Sequence, residues 1–294
     1  NARQKHADGH QQTLDHRSAD DAVEHAAGGV GRNIAENLAY LGISVSLVTA
    51  LGDDANGQLL RRACADAAVD LSMALTVSEP TGSYLAILDA TGELVSAVND
   101  MRAMEALTPA QLALHVESLS EADMLVADCN LSEACLSWLC RFSAERNVRL
   151  LIEPVSVTKA QKLLAFKRAA PVFAITPNAQ QLAALAAGDG LEALAVLHAL
   201  GFANVVLHRG SAGALASDGT NVTSIEPVRV PAIADVTGAG DAAVAGLVCG
   251  LLDGRSLAQA ARLGQCAAAI KLSSSQSVAS GLSRDSLLEL AGFI

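Results

Sequence analysis

The sequence predicts a three-layer α/β/α fold: a mostly parallel central sheet, helices on both faces and a small β lid. Three observations carry this. From Ala27 onward, short apolar runs alternate with amphipathic segments, the texture of strands buried on both faces. The chain has 294 residues, 51% of them hydrophobic, enough to bury a sizeable core. One stretch near residues 80–100 breaks the alternation and reads as a hairpin.

Taken in order, residues 1–26 form a polar N-terminal segment that holds four of the seven histidines and no apolar periodicity. The spacing of His6, His10 and His16 suggests metal ligands, but a polar leader is the simpler reading. Residues 27–294 are expected to form the working domain. Ile34, Leu38 and Leu41 recur at helical spacing and Gly42 stands at a left-handed C-terminal position, so 32–41 reads as a helix. VSLVT (45–49) reads as a strand. SYLAIL (83–88), the turn Asp89–Gly92 and ELVSAV (93–98) make the hairpin lid. MLVAD (124–128), VRLLIE (148–153), VFAIT (172–176) and NVVLH (204–208) read as buried strands, and 132–145, 178–187 and 241–252 as helices. SSSQS (273–277) is a loop between two helices.

Charge and composition exclude several classes of function. Twenty basic residues against 31 acidic ones leave a net charge of −11 with no clustered basic stripe, so nucleic acid is not an expected partner. The longest apolar run, AAVAGLVCGLL (242–252), falls short of the ~20 residues that span a bilayer, and no membrane partner is expected. Cys64, Cys129, Cys135, Cys140, Cys249 and Cys266 lie mostly in apolar runs without a CxxC pair, which predicts buried thiols in a cytoplasmic protein.

The sharpest chemical feature is Asp235-Val236-Thr237-Gly238-Ala239-Gly240-Asp241, running straight into the apolar helix. Glycines at a helix start let the backbone approach a phosphate, and the free amides with the helix dipole form an anion hole. Asp241 in the first turn can take a hydroxyl proton while Gly238, Ala239 and Gly240 hold the charge of a transferred phosphoryl group. By itself the string also fits an Asp near the start of an ordinary helix after a glycine turn.

The string resembles the second signature of the ribokinase-like (PfkB) carbohydrate kinase family, and Gly28-Gly29-Val30-Gly31-Arg32-Asn33 resembles the first. The resemblance implies ATP and Mg2+ as cofactors, with Gly28, Gly29 and Asn33 gripping the sugar. GGVGRNIAENLA (28–39), AVNDM (97–101) and VADCNLS (126–132) resemble the pseudouridine kinase branch of that family. This implies transfer of the γ-phosphoryl group of ATP to the 5′-hydroxyl of pseudouridine, with Asn99 and Asp100 reading the base and Asn130 the sugar. Asn99-Asp100 also suits the end of a strand. On the nucleotide side the likeness points to Asn178, His208, Gly210, Gly213 and Thr237, with His208 standing where Ser or Thr is usual. Asp235, with Thr237, is placed beside a monovalent cation (K+).

The chain departs from the family pattern at three places. The magnesium motif NxxE reads Asn178-Ala179-Gln180-Gln181, leaving Gln181 as a neutral metal-side residue; Glu153-Pro154 stands for Asp-Pro; and the first strand with its Asn-x-Asp is not recognisable in 1–26. A kinase for ribose or another nucleoside, and an impaired nucleoside-binding relative, therefore remain as alternatives. The resemblance also implies small-molecule partners and a homodimer through the lid.

Overall fold

The structure is a computed structural model that describes residues 26–88, 94–165, 171–188, 190–279 and 281–294. The His6/His10/His16 spacing, the search for a first strand in 1–25 and the lid turn at 89–92 lie outside the described residues.

The chain opens with α1 (Val30–Tyr40), β1 (Ala50–Gly52), α2 (Ala55–Asp66) and β2 (Leu75–Val77), then the hairpin β3 (Ser83–Leu88) and β4 (Leu94–Asp100). Next come α3 (Pro109–Ala113), α4 (Val116–Glu121), β5 (Met124–Asp128), α5 (Glu133–Arg146), β6 (Arg149–Glu153), α6 (Val157–Ala160), β7 (Val172–Ile175), α7 (Ala179–Leu185), α8 (Gly190–Ala199) and β8 (Phe202–His208). The C-terminal part contributes β9 (Ala214–Ser217), β10 (Val222–Ile225), α9 (Ala239–Leu252), α10 (Leu257–Leu272) and α11 (Arg284–Ala291).

The central sheet has the order β10-β9-β8-β7-β6-β5, with β5 to β8 parallel and β9 and β10 antiparallel at one edge. Its strands are apolar on both faces because helices cover both. Leu151 and Val206 enter the core with α1, α9 and α10, whereas Leu150, Ile152, Val205 and Leu207 enter the core with α5, α7 and α8. All six cysteines are buried. Among the described residues no single helix is long and apolar enough to cross a membrane.

Helix starts follow local chemistry. Ser132 caps α5 by accepting from the Cys135 amide at 3.2 Å, and Asn178 with Gln181 closes a capping box on α7. Gly42, at φ 77°, ends α1 as its position suggested. Helix α9 is apolar all round and almost wholly buried, packed closely on α10. Glycine permits this approach: a Cβ on Gly246 would stand 2.6 Å from the Leu263 carbonyl oxygen, and one on Gly264 the same distance from that of Ala243.

Two expectations need correction. The segment 45–49 is extended but forms no continuous strand; Ser46 makes an isolated bridge with Asp70, and the ladder begins only at Ala50. The facing segment turns at Ser72, whose amide bonds the Asp70 carboxylate at 2.9 Å, and this interrupts the pairing. Second, α9 begins at Ala239 instead of Asp241, because Gly238 (φ 81°) serves as its N-cap. Asp241 is therefore the third residue of the helix, inside its first turn.

Candidate active site

Parallel strands end side by side, and the residues at their carboxyl ends form a row. Asp128 ends β5 and pairs in register with Glu153 at the end of β6; Thr176 follows β7 and His208 ends β8. In open α/β sheets this edge is where ligands bind. Helix α9 brings Asp241 to the same edge, and α1 brings Gly31 and Asn33.

Asp241 is buried, and its Oδ2 accepts from Asn33 Nδ2 at 2.6 Å. Burial pushes its carboxyl up to about 6 and the nearby Asp128 charge adds to this, while the Asn33 bond and Arg32 work against it. Arg32 organises the first glycine loop: Nε donates to the Gly28 carbonyl at 3.1 Å and Nη2 to that of Ala27 at 2.8 Å, with Asn33 Oδ1 and Glu36 completing its partners. Asn33 thus holds Arg32 with one end of its amide and Asp241 with the other. Gly29 adopts φ 103°, which requires glycine.

Asp128 Oδ2 accepts from the Gly31 amide at 3.0 Å and its Oδ1 from the Asn130 amide at 2.7 Å. Burial still raises its carboxyl above the ordinary range. Asn130 Oδ1 is taken by Lys159, whose pKa is lowered by burial despite the Asp128 charge. Glu153 is pushed up to about 8, first by burial and then by the Asp241 charge, although the Val155 amide (3.2 Å) and Thr176 hydroxyl (3.1 Å) donate to it. Asp241 ionises first, and its charge then opposes ionisation of Glu153.

Beside Glu153 lies a cavity of about 70 Å³ lined by Thr176, Asn178, Gln181, His208, Gly240 and Val244. His208 is lowered to about 4 by burial, and its Nε2 finds no partner among the described residues. The two glycines of the anion turn differ. A Cβ on Gly238 would stand 2.0 Å from the Ser277 carbonyl oxygen, so packing demands glycine there. A Cβ on Gly240 would meet nothing within 4 Å, so the space beside Gly240 is open. The first intrahelical bond runs from Ala242 N to the Gly238 carbonyl, and the preceding first-turn amides have no partner within the helix.

Other expected site residues are placed differently. Asp100 spends its oxygens on Arg102, whose guanidinium bonds hold it down at about 2, and Asn99 stands exposed on β4 opposite Tyr84. Gly210 (φ 58°) and Gly213 (φ 78°) shape a tight turn after β8, with the Gly213 Cα packed against the Ile225 carbonyl. Gln181 is buried and its Oε1 accepts from the Asn178 amide at 2.8 Å, so the residue expected at a metal works as a cap while lining the cavity.

The potassium expectation does not fit this chain. Thr237 turns its amide and hydroxyl, each at 3.0 Å, onto Asp235 Oδ1, while Lys271 Nζ takes the Asp235 carbonyl (2.8 Å) and Oδ2 (3.3 Å). The oxygens a monovalent cation would use already hold an ammonium.

The pfkB family of carbohydrate kinases matches residues 6–283. The pseudouridine kinase of Escherichia coli strain K12 is 37% identical over 259 residues, covering 85% of this chain and 81% of that protein. The chain belongs to the pfkB family of carbohydrate kinases. It is accordingly a phosphotransferase, and its structure agrees with its relatives. A carbohydrate kinase from Agrobacterium tumefaciens superposes with a TM-score of 0.79 at 31% identity, over 91% of this chain and 86% of that one. A ribokinase from Arabidopsis thaliana complexed with ribose and ATP has a TM-score of 0.78 at 21% identity, over 92% and 88% of the two chains, a likeness of fold.

Sequence reasoning passed over Arg32, Asp128, Lys159, Thr176 and Lys271. Asp128 and Thr176 carried a usable signal, since polar residues at the carboxyl ends of parallel strands face the binding edge. Lys271, at the end of an apolar helix, carried none.

Proposed function

We propose that this pfkB kinase is an ATP-dependent pseudouridine kinase, transferring the γ-phosphoryl group to the 5′-hydroxyl, with Asp241 as general base. The observation that carries the mechanism is the state of Asp241: buried in the first turn of α9, oriented by Asn33 and raised to about 6. Such a carboxylate is ionised at neutral pH yet close enough to it to take a proton efficiently. In the transfer, the hydroxyl proton passes to Asp241, its oxygen bonds the γ-phosphorus, and the bond from that phosphorus to the β-γ bridging oxygen breaks, releasing ADP. The Gly238-Ala239-Gly240 turn stabilises the transferring group through its free amides and the α9 dipole, while the Ala239 amide is held by the Val236 carbonyl at 3.2 Å. The open space at Gly240 suits a phosphoryl group.

Magnesium fits the residues present. Burial raises Asp128, Glu153 and Asp241, and the Asp128 charge further raises Asp241 and Glu153, as the Asp241 charge does Glu153, so the edge favours the positive charge that a cation–nucleotide complex would supply. No group of three or more metal-ligating side chains occurs among the described residues, which suits an ion held mainly by phosphates and water. Glu153, Asn178 and Gln181 would face that water shell, and Gly210, Gly213, His208 and Thr237 the nucleotide. Bound magnesium would offset charge on the phosphates.

Gly28, Gly29, Asn33 and Asn130 are assigned to the sugar, and Asn99 and Asp100, on the hairpin, to the base. Residues 27–294 are read as one kinase domain with β3 and β4 as its lid, whose open apolar surface also offers a contact to a second copy. Pseudouridine is favoured because the E. coli relative of that name is 37% identical. The test is ADP release by purified protein with ATP and magnesium over pseudouridine, uridine, adenosine and ribose. Preference for pseudouridine is expected. Turnover of ribose without pseudouridine would replace the substrate, and nucleoside binding by calorimetry without any turnover would replace the enzyme by a binding protein.

A further inference from the structure

We infer that the Lys271 ammonium is a built-in monovalent cation: it occupies the position beside the Asp235–Gly238 turn that a potassium ion would fill, so the chain works without potassium. The inference rests on the phosphotransfer reading of that turn.

Lys271 stands in the last turn of α10 and is fully buried. Its Nζ has three acceptors, the Asp235 carbonyl at 2.8 Å, Asp235 Oδ2 at 3.3 Å and the Ser274 carbonyl at 3.1 Å. An ammonium has three protons to donate, so its coordination is complete. Two carbonyl oxygens and a carboxylate are also the hard oxygen donors that replace the water shell of a potassium ion. A buried charge must be paired, and one carboxylate balances one cation, so the pocket suits either ammonium or potassium but not both.

The location matters more than the ion pair. Asp235 opens the turn that ends at Asp241, and Ser274 lies on the 273–277 loop whose Ser277 carbonyl packs against Gly238. Lys271 therefore clamps the two segments that shape the anion turn. Although partial burial works the other way, the Thr237 amide and hydroxyl and the Lys271 ammonium hold the Asp235 carboxyl below its ordinary range. None of the three Nζ partners is Asp241 or belongs to α9, which makes Lys271 a positioning residue. Covalent attachment has a consequence that an ion-filled site lacks. The clamp cannot be lost by dilution, and its effect does not vary with the salt present.

The experiment compares potassium with choline at equal ionic strength, for the wild-type protein and for Lys271→Ala, which vacates the pocket. Wild-type melting temperature and turnover should agree in the two salts. Lys271→Ala should melt lower in choline and recover in potassium by about 2 °C or more, as ligand linkage requires, with turnover recovering in parallel. A merely structural lysine would give a variant whose loss is the same in both salts, and that result overturns the inference. A wild-type protein stabilised or accelerated by potassium overturns it equally. Crystals of the wild-type protein soaked in rubidium need no variant: an anomalous peak among the Asp235 and Ser274 oxygens would refute the assignment, and its absence there is expected. The melting and diffraction arms need no substrate, so failure to phosphorylate pseudouridine would leave them standing.

Discussion

The carboxyl edge of the sheet and the hairpin differ in how firmly their neighbours hold them. At the edge, groups from distant parts of the chain hold one another, Asn33 bonding Asp241, the Gly31 amide bonding Asp128 and Thr176 bonding Glu153, while Arg32 ties down the loop before α1. The hairpin is a two-stranded ribbon, and Tyr84, Leu85, Ile87, Val95 and Val98 are all more than half exposed. Tyr84 and Leu85 are adjacent, so both faces of the ribbon are open. A two-stranded hairpin is marginal in water without a packing partner. The lesson is that burial gives the edge shifted acidities and fixed geometry, while lack of burial leaves the hairpin free to meet a ligand or another chain.

The largest effect should come from the edge. Asp241→Asn keeps the shape and removes the proton acceptor, and steady-state ADP release should fall about 100-fold or more with the melting temperature unchanged or raised. Unchanged turnover would move the base elsewhere. Next, Gly246→Ala places a methyl 2.6 Å from the Leu263 carbonyl oxygen, and urea unfolding should show a loss of about 1–3 kcal/mol.

The pH dependence tests the edge without a size change. Turnover should rise with pH through about 6 as Asp241 ionises. Stability should move oppositely. Glu153 binds its proton in the folded state up to about 8 but only to its ordinary 4.5 when unfolded, so the folded protein holds more protons and loses stability as pH rises. Below 6.5 His208 opposes the trend, because the unfolded imidazole takes a proton that the folded one refuses until about 4. The decline should therefore be clearest between about 6.5 and 8 in thermal melts, and Glu153→Gln should flatten it.

Smaller effects sharpen the comparison. Gln181→Glu retains the acceptor that caps α7 and adds charge beside the cavity, so turnover at limiting magnesium should rise while pseudouridine affinity stays level; Gln180→Glu, on the exposed side, should do little. If the two behave alike, Gln181 does not face the metal. The smallest stability change belongs to the hairpin: Val98→Ser, 63% exposed, should shift unfolding by less than about 0.5 kcal/mol. A larger shift would mean that the hairpin is packed in solution by a second copy.

Local pattern was enough where an element depends on its own residues. Apolar runs marked β5 to β8 to within two residues at either end, and Gly238 through Asp241 announced a helix start. It was insufficient at 45–49, where the side chains suit a strand but the partner turns away at Ser72. It also gave no sign that the Asp100 carboxylate closes on a neighbour two residues along.

The sequence alone determined the layered fold, the glycine turns and the acid placed at the head of α9, because each follows from periodicity, backbone freedom or capping within a short stretch. Only the tertiary structure decided that Asn33 orients Asp241 across 208 residues, that Asp128 and Glu153 share its edge, and that Lys271 fills the pocket made by Asp235 and Ser274. Acidity and cation occupancy depend on which distant groups are brought together and how completely water is removed from them, and neither is a property of a local stretch of chain.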